Sequence, residues 1–548
     1  MGLNKLGWIQ ATHVCRHWRQ VALDHASLWA RISGFPKNIN WITEQLSRAK
    51  NAPLVIDFLG APTSETFSLI PSHFAHTREL HLRGLSVAHV NGVKELCGLE
   101  APELEHFELS LSVSPPMISE DFVGTSLFRG KAPKLRTLSL CQVLVPWSFF
   151  PRCQFTQLKI ILSNEEYVDD APSPSSLNEL IDVLTNCPNL EVLMLEYCLP
   201  NTLCQSTHNR TVRLPRLSHL SLTGSCSRVV RFFETLQIPP STKLNFHCIS
   251  QSAFGNESSL VLPLVMSHFN RSALITFRSF KVVLERKLDI IASTSVPVSA
   301  LSSSAVFEGG PEGNPELTLS FVTHSEFSHL VTILERACTI LPITDLEFLS
   351  ISAPDSLHSL NWGELFQKCA KVTTIEASGH GTSTLLRTIT PPKVTSKQPN
   401  NGKGKKKNKT KKDLPSQAAG SAPVACAPSF PKLTSLLVKK FDFSELVPHS
   451  GSVYDVLVTA IKRRKNYKVP LKILSIDRSI LSEKRASSLE KLVREFNWTR
   501  EEAGSFNEYD FDDFDHYSSD YHDARWEDFF VGSSQAEWEW WENYSNEW

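Results

Sequence analysis

A short motif recurs along this chain: a small residue or proline followed by LxxLxL. Clear copies carry Leu104, Phe107 and Leu109; Leu135, Leu138 and Leu140; Leu190, Leu193 and Leu195; and Leu217, Leu220 and Leu222. Weaker copies surround Leu80 and Leu82, Leu346, Leu349 and Ile351, Val372 and Ile375, Leu433 and Leu436, and Leu471, Leu474 and Ile476. Successive side chains on a strand point to opposite faces, so each LxL sends its leucines into a core and its alternate residues outward. Leu80 to Phe107, Leu193 to Leu220 and Leu217 to Leu244 are each separated by 27 residues, which suggests one common unit.

Helical stripes precede several of these strands. Leu177, Leu180, Ile181 and Leu184 follow an i, i+3, i+4, i+7 pattern, and Pro188 stops the helix. Val453, Val456, Leu457, Ala460 and Ile461 form a second stripe, and Phe327, Leu330, Val331, Leu334 and Ala337 a third. A helix–strand unit exposes its apolar side unless a neighbour covers it, so stacking is the economical solution. The period lies in the range of leucine-rich repeats. The expected fold class is α/β, a leucine-rich-repeat-like solenoid of helix–strand units; the alternative is an irregular α/β domain. Register fails between about 245 and 340, and the stretch from Ser293 to Pro315 reads as a long loop.

At 548 residues with 41% hydrophobic and 21% charged residues, the chain can bury a large core. Lys and Arg number 56 against 57 Asp and Glu, which argues against a global basic field for nucleic acid. No apolar run approaches the roughly 18 residues of a membrane span, and Met1 to Trp8 does not read as a secretory signal. The 12 cysteines show no CxxC pair, so they read as small apolar residues of a reducing cytoplasm or nucleus, with no metal and no cofactor expected. There is no phosphate loop, zinc-binding HExxH or GxSxG elbow, hence no catalytic residue is assigned.

Near the N-terminus, Ala11, Val14, Cys15, Trp18, Val21 and Ala22 share one face of a helix, and Leu28 and Trp29 follow where they can pack back on Trp18. The order His13, Cys15, Arg16, Trp18, Arg19, Leu23, Asp24, Ser27, Leu28, Trp29 resembles the second half of an F-box. It is particularly similar to the N-terminal region of fungal F-box proteins with divergent leucine-rich repeats. In that family the stretches Trp41 to Ala49 and Ala52 to Asp57 match the first helix and strand of the repeat domain. The resemblance covers residues 6–58 and extends more loosely to about 480. It implies a non-catalytic substrate receptor of a ubiquitin ligase, which docks on the Skp adaptor of a cullin-RING assembly and holds its target on the repeats. Val14, Trp18, Leu28 and Trp29 are the adaptor-binding residues so implied. The family's opening Leu-Pro-x-Glu helix and Ile-Phe pair have no match before Leu6, so weak or lost docking is expected. An apolar helix that merely caps the first repeat is the structural alternative. A repeat scaffold without a ligase link, or an enzyme with an unrecognised site, are the other functional readings.

The expected organisation is a partial F-box at 1–36, repeats at 37–395, a Lys-rich loop at 396–428, further repeats at 429–498 and an acidic aromatic tail at 499–548. Lys403, Lys405, Lys406, Lys407, Lys409, Lys411 and Lys412 repel one another in a solvated loop, or serve as a nuclear import signal or polyanion contact. In the tail, six Asp from Asp510 to Asp523 mingle with Phe511, Phe514, Tyr517 and Tyr521, as in segments that dock through aromatic anchors; the alternative is a cap on the last repeat. The expected partner-binding residues are the outward ones of the LxL strands: His81, Arg83, Glu108, Ser139, Met194, Glu196, Ser221, Thr223, Ser350, Glu376, Lys439 and Asp477. Mixed in charge, on what would be a concave face, they suit a protein partner rather than nucleic acid or a membrane.

Overall fold

The computed structural model describes residues 13–34, 38–58, 60–112, 117–118, 126–144, 146–150, 154–162, 176–200, 210–250, 258–270, 275–297, 315–323, 328–353, 360–392, 428–447 and 451–499. The Lys-rich run and the acidic aromatic segment from Glu501 lie outside them, as does most of the stretch from Ser293 to Pro315. The chain is α/β and divides into two compact units, one within Met1–Ser272 and the other within Ala273–Ala503.

The first unit opens with helices α1 (Arg16–Asp24) and α2 (Ala26–Trp29), strand β1 (Arg31–Gly34), helix α3 (Ile39–Ala49) and strand β2 (Leu54–Phe58). Strands β3 (Thr77–Leu85), β4 (His106–Leu111), β5 (Thr137–Cys141), β6 (Gln157–Ile161), β7 (Val192–Glu196), β8 (His219–Ser225) and β9 (Lys243–Ser250) then follow in one parallel sheet, each beside its predecessor. The LxL leucines drive this order. Leu80, Leu82, Phe107, Leu109, Leu138, Leu140, Leu193, Leu195, Leu220 and Leu222 are all buried on one face, and Leu104, Leu135, Leu190 and Leu217 bury the turn before each strand. Helix α4 (Leu177–Thr185) buries the expected stripe of Leu177, Leu180, Ile181 and Leu184.

Pairing Leu80 with Phe107 and Leu193 with Leu220 agrees with the sequence spacing. Leu217 and Leu244 do not pair. Leu244 lies opposite Leu220, 24 residues away, because Leu217 belongs to the turn before β8 rather than to the strand. Connections vary more than the motif suggests: Leu138 and Leu158 pair across 20 residues, Leu158 and Leu193 across 35. The leucines set the register and the connections adapt to it.

Two polar ladders fix neighbouring strands at their starts. Hydroxyls of Thr156, Ser218 and Thr242 donate to carbonyls of Arg136, Glu191 and Leu217, one strand back. Lys131 meets Glu100 and Lys134 meets Glu103 between the turns before β5 and β4. Being exposed, these ion pairs add little stability.

The second unit begins where the repeat pattern fails, and the reason is an antiparallel hairpin. Strand β10 (Ser279–Leu284) turns through Glu285 and Arg286 into β11 (Lys287–Ser293), which pairs antiparallel with β12 (Leu317–Thr323). Helix α5 (Ser328–Ile340) buries Leu330, Leu334 and Ala337 as expected, but Ile333 takes the place given to Val331, and Phe327 lies outside the described residues. Parallel pairing resumes with β13 (Phe348–Ser352) beside β10, then β14 (Thr374–Ser378), β15 (Ser435–Lys439), β16 (Ile473–Asp477) and β17 (Glu495–Thr499). Helix α6 (Val453–Asn466) precedes β16. It opens with a capping box between Ser452 and Asp455, and its stripe of Val453, Val456, Leu457, Ala460 and Ile461 is buried.

The chain often leaves a strand through one residue in the left-handed region: Gln142, Tyr197, Gly379, Lys440 and Arg478 directly follow β5, β7, β14, β15 and β16. Only at Gly379 is a side chain excluded by space as well, since a Cβ there would lie 2.5 Å from the Ala353 carbonyl oxygen. Among the described residues no helix is long and apolar enough to cross a membrane.

Candidate partner-binding site

Two surfaces gather the residues singled out from the sequence. The first is α1. The Cys15 sulfur accepts from the Trp18 backbone N–H at the helix start, and Val14, Trp18 and Val21 stay exposed at 66%, 54% and 50%. Trp29 behaves oppositely. It is 5% exposed, donates through Nε1 to the Ala22 carbonyl at 2.9 Å, lies 5.9 Å from the Trp41 ring, and carries the Arg48 guanidinium at 4.7 Å. The expected packing of Trp29 and Leu28 on Trp18 is replaced by packing of Trp29 on α3, with Leu28 half-buried between. Burial of the Trp29 indole is eased because its N–H finds a carbonyl. Of the four implied adaptor residues, Val14 and Trp18 are accessible, Leu28 partly so, and Trp29 supports the helix from within.

The second is the sheet face opposite the leucines, taken in each unit by itself. In the first unit, strand register aligns Asp57, His81, Glu108, Ser139, Lys159, Met194, Ser221 and Asn245 in one row. Ile161, Glu196, Thr223 and His247 stand in the next. Asp57, Lys159 and Asn245 escaped the sequence reading, although each alternates with buried residues; their strands lack the full LxxLxL. Ser221 and Thr223 lie on this face but are crowded into burial, whereas Ser139, Met194 and Glu196 are half-buried.

Three strands meet at Arg83, which lies between Glu108 of β4 and Asp57 of β2. Arg83 approaches it with both Nε and Nη2, at 2.8 and 2.7 Å, and sends Nη1 to Asp57 at 2.8 Å. His81 reaches the same carboxylate through Nδ1 at 2.9 Å; since a carboxylate only accepts, Nδ1 carries the proton. Burial pushes the Glu108 carboxyl up, but hydrogen bonds from His81 and Arg83 and their charge outweigh it and hold the group at about 2. For Arg83, burial works against the charge, and Glu108 with Asp57 more than compensates, raising its pKa. The result is a fixed polar patch in which charge is paired rather than poised for proton transfer.

In the second unit Ser350 and Glu376 pair in register, as do Lys439 and Asp477 one row on, and Lys439 Nζ lies 3.0 Å from Glu376 Oε1. Ser350 is buried; the other three are half-buried. Leu437, next to Glu376 in its row, is a buried apolar residue on this otherwise polar face.

No protein-family model matches the chain, and no curated protein matches it.

Other chemistry-bearing groups are structural in setting. Cys97, Cys187, Cys198, Cys226, Cys248, Cys338 and Cys369 are buried, Cys141 is half-buried and Cys15 exposed. Burial pushes the Cys97 and Cys369 thiols up to about 12, far from the thiolate a nucleophile needs. Among the described residues, no three His, Cys, Asp or Glu side chains gather where they could hold a metal ion.

Proposed function

We propose that the protein is a non-catalytic recognition subunit of a Skp-cullin-F-box ubiquitin ligase, in which leucine-rich-repeat-like units stack as a solenoid and hold a target protein. The observation that carries this reading is the opposite fate of Trp18 and Trp29. A helix with an apolar strip of Trp18 and Val21 in water, and with Val14 exposed ahead of its Cys15 cap, is fastened from behind by a buried indole. Such a strip on a fixed mount suits a helical adaptor, which would cover surface that otherwise costs solubility. The polar rows around Glu108 in the first unit and around Glu376 in the second are then target-binding faces, each within its own unit. Their side chains are held by ion pairs and by strands with little backbone freedom, so binding loses little conformational entropy. This assignment places the protein in the cytoplasm or nucleus.

The test is capture of purified Skp adaptor by the full chain. We expect weak, micromolar binding that falls about ten-fold or more in Trp18→Ala, equivalent to about 1.4 kcal/mol. Because Trp18 is exposed, that change should leave stability within about 0.5 kcal/mol, whereas Trp29→Ala should cost about 3 to 5 kcal/mol and serves as the folding control. No adaptor capture by the intact chain would leave an interaction scaffold without a ligase link as the better reading.

A further inference from the structure

Arg464 occupies an improbable place. It continues the buried stripe of α6 at the position after Ala460 and Ile461, is 0% exposed, and meets no carboxylate among its hydrogen-bond partners. Its guanidinium donates instead to four carbonyls: Nη1 to Ile389 at 3.3 Å and Ser429 at 3.2 Å, Nη2 to Phe430 at 2.9 Å and Leu433 at 3.3 Å. Its neighbours on the same turn do likewise, Arg463 Nη1 to Pro391 at 3.1 Å and the Tyr467 hydroxyl to Pro392 at 3.0 Å. Ile389, Pro391 and Pro392 lie before the stretch 393–427, while Ser429, Phe430 and Leu433 lie after it.

Strand spacing gives that stretch a meaning. The Thr373 hydroxyl donates to the Glu347 carbonyl across 26 residues, and the Thr434 hydroxyl makes the equivalent bond to the Thr373 carbonyl across 61. The excess is 35 residues, the length of 393–427. Without those residues the 26-residue spacing of the preceding unit would continue unbroken.

We infer that 393–427 is an insertion within one repeating unit, and that the last turn of α6 is a clasp which closes its base through Arg463, Arg464 and Tyr467. The clasp holds the two chain ends where an uninterrupted unit would hold them. Only a guanidinium can do this from one side chain, because its planar fork reaches four acceptors at once while an ammonium presents a single point. Burial without a counter-charge lowers the Arg464 pKa to about 10, which still leaves it charged at neutral pH. The insert can therefore be shortened, replaced or cut without parting the strands on either side.

The experiment uses the full chain in two forms. In one, 393–427 is replaced by a four-residue Gly-Ser linker; in the other, a specific protease site replaces residues 403–409 and is cut to completion. We expect the linker form to melt within about 3 °C of the full chain, and the cut fragments to co-elute. Since the β14–β15 ladder also crosses the cut, the clasp is read as a difference: Arg464→Met should weaken fragment association by about 100-fold or more. Arg464→Lys should resemble Arg464→Met. Should Arg464→Met fail to fold even uncut, Arg463→Ala combined with Tyr467→Phe, which removes only the outer bonds, should speed fragment dissociation several-fold. Unfolding of the linker form, separation of the unsubstituted cut chain, or equal association with and without the clasp residues would each overturn the inference.

Discussion

The two units use one motif under different constraints. In the first, nine strands run parallel in sequence order, and the leucines of successive strands cover one another. In the second, the same motif survives an antiparallel hairpin at β10–β11 and a 61-residue interval before β15. The leucines are equally buried in both: Leu193 and Leu220 in one, Leu349 and Leu474 in the other. What differs is the polar work. Each unit pairs charge on the face opposite the leucines, around Glu108 in the first and Glu376 in the second, and each buries an arginine. Arg228 in the first donates to the Leu199 carbonyl, whereas Arg464 in the second donates to four carbonyls from both sides of 393–427. An apolar repeat thus tolerates interruption if polar groups freed at the break find partners.

The largest expected effect tests whether the cores are equivalent. Leu220→Ala in the first unit and Leu474→Ala in the second should each cost about 2 to 5 kcal/mol in denaturant unfolding, as for other fully buried leucines. Hydrogen exchange should show protection lost chiefly in the unit that carries the change. A marked inequality between the two costs would mean that the hairpin and insertion loosen the second core.

An intermediate effect separates the polar networks by pH. The Glu108 carboxyl titrates at about 2 in the folded chain, below its ordinary value of 4.5. Its stabilisation is therefore fully present above pH 4.5 and is lost as pH falls towards 2, by about 1 to 3 kcal/mol. Urea unfolding between pH 5.5 and 3 should show this slope, flattened in Glu108→Gln. In the second unit, Arg278 pairs with Glu347 and lowers its pKa, but the pair is exposed, so Glu347→Gln should leave the slope nearly unchanged. Equal slopes in the two variants would remove the distinction.

The smallest effect concerns the exposed pairs at strand starts, Lys134 with Glu103 in the first unit and Lys371 with Asp345 in the second. Replacing Glu103 or Asp345 by Ala should change stability by at most about 1 kcal/mol, and less in high salt. A larger loss at Asp345 alone would show that the interrupted unit relies on surface charge.

The sequence by itself determined which residues face the core. The LxL leucines and the helical stripes at Leu177 to Leu184 and Val453 to Ile461 are where their periods put them, because period alone decides which side of an element is apolar. Tertiary structure decided what period cannot express. Leu244 pairs with Leu220 rather than Leu217 because a turn residue and a strand residue look alike in a string of leucines. The Glu285–Arg286 turn carries none of the Asn-Gly or Asp-Gly signals that announce a hairpin. Trp18 and Trp29 are equally apolar in sequence, and it is Trp29 that finds the Ala22 carbonyl, the Trp41 ring and the Arg48 guanidinium. Asp57, Arg83 and Glu108 are about 25 residues apart in steps, and they meet because strands place them side by side. Arg464 extends an apolar stripe, which local pattern would forbid; four carbonyls from both ends of an insertion permit it. For Glu108 and Arg464 the deciding partners are distant along the chain, and their hydrogen bonds and charge act only once the fold has brought them near.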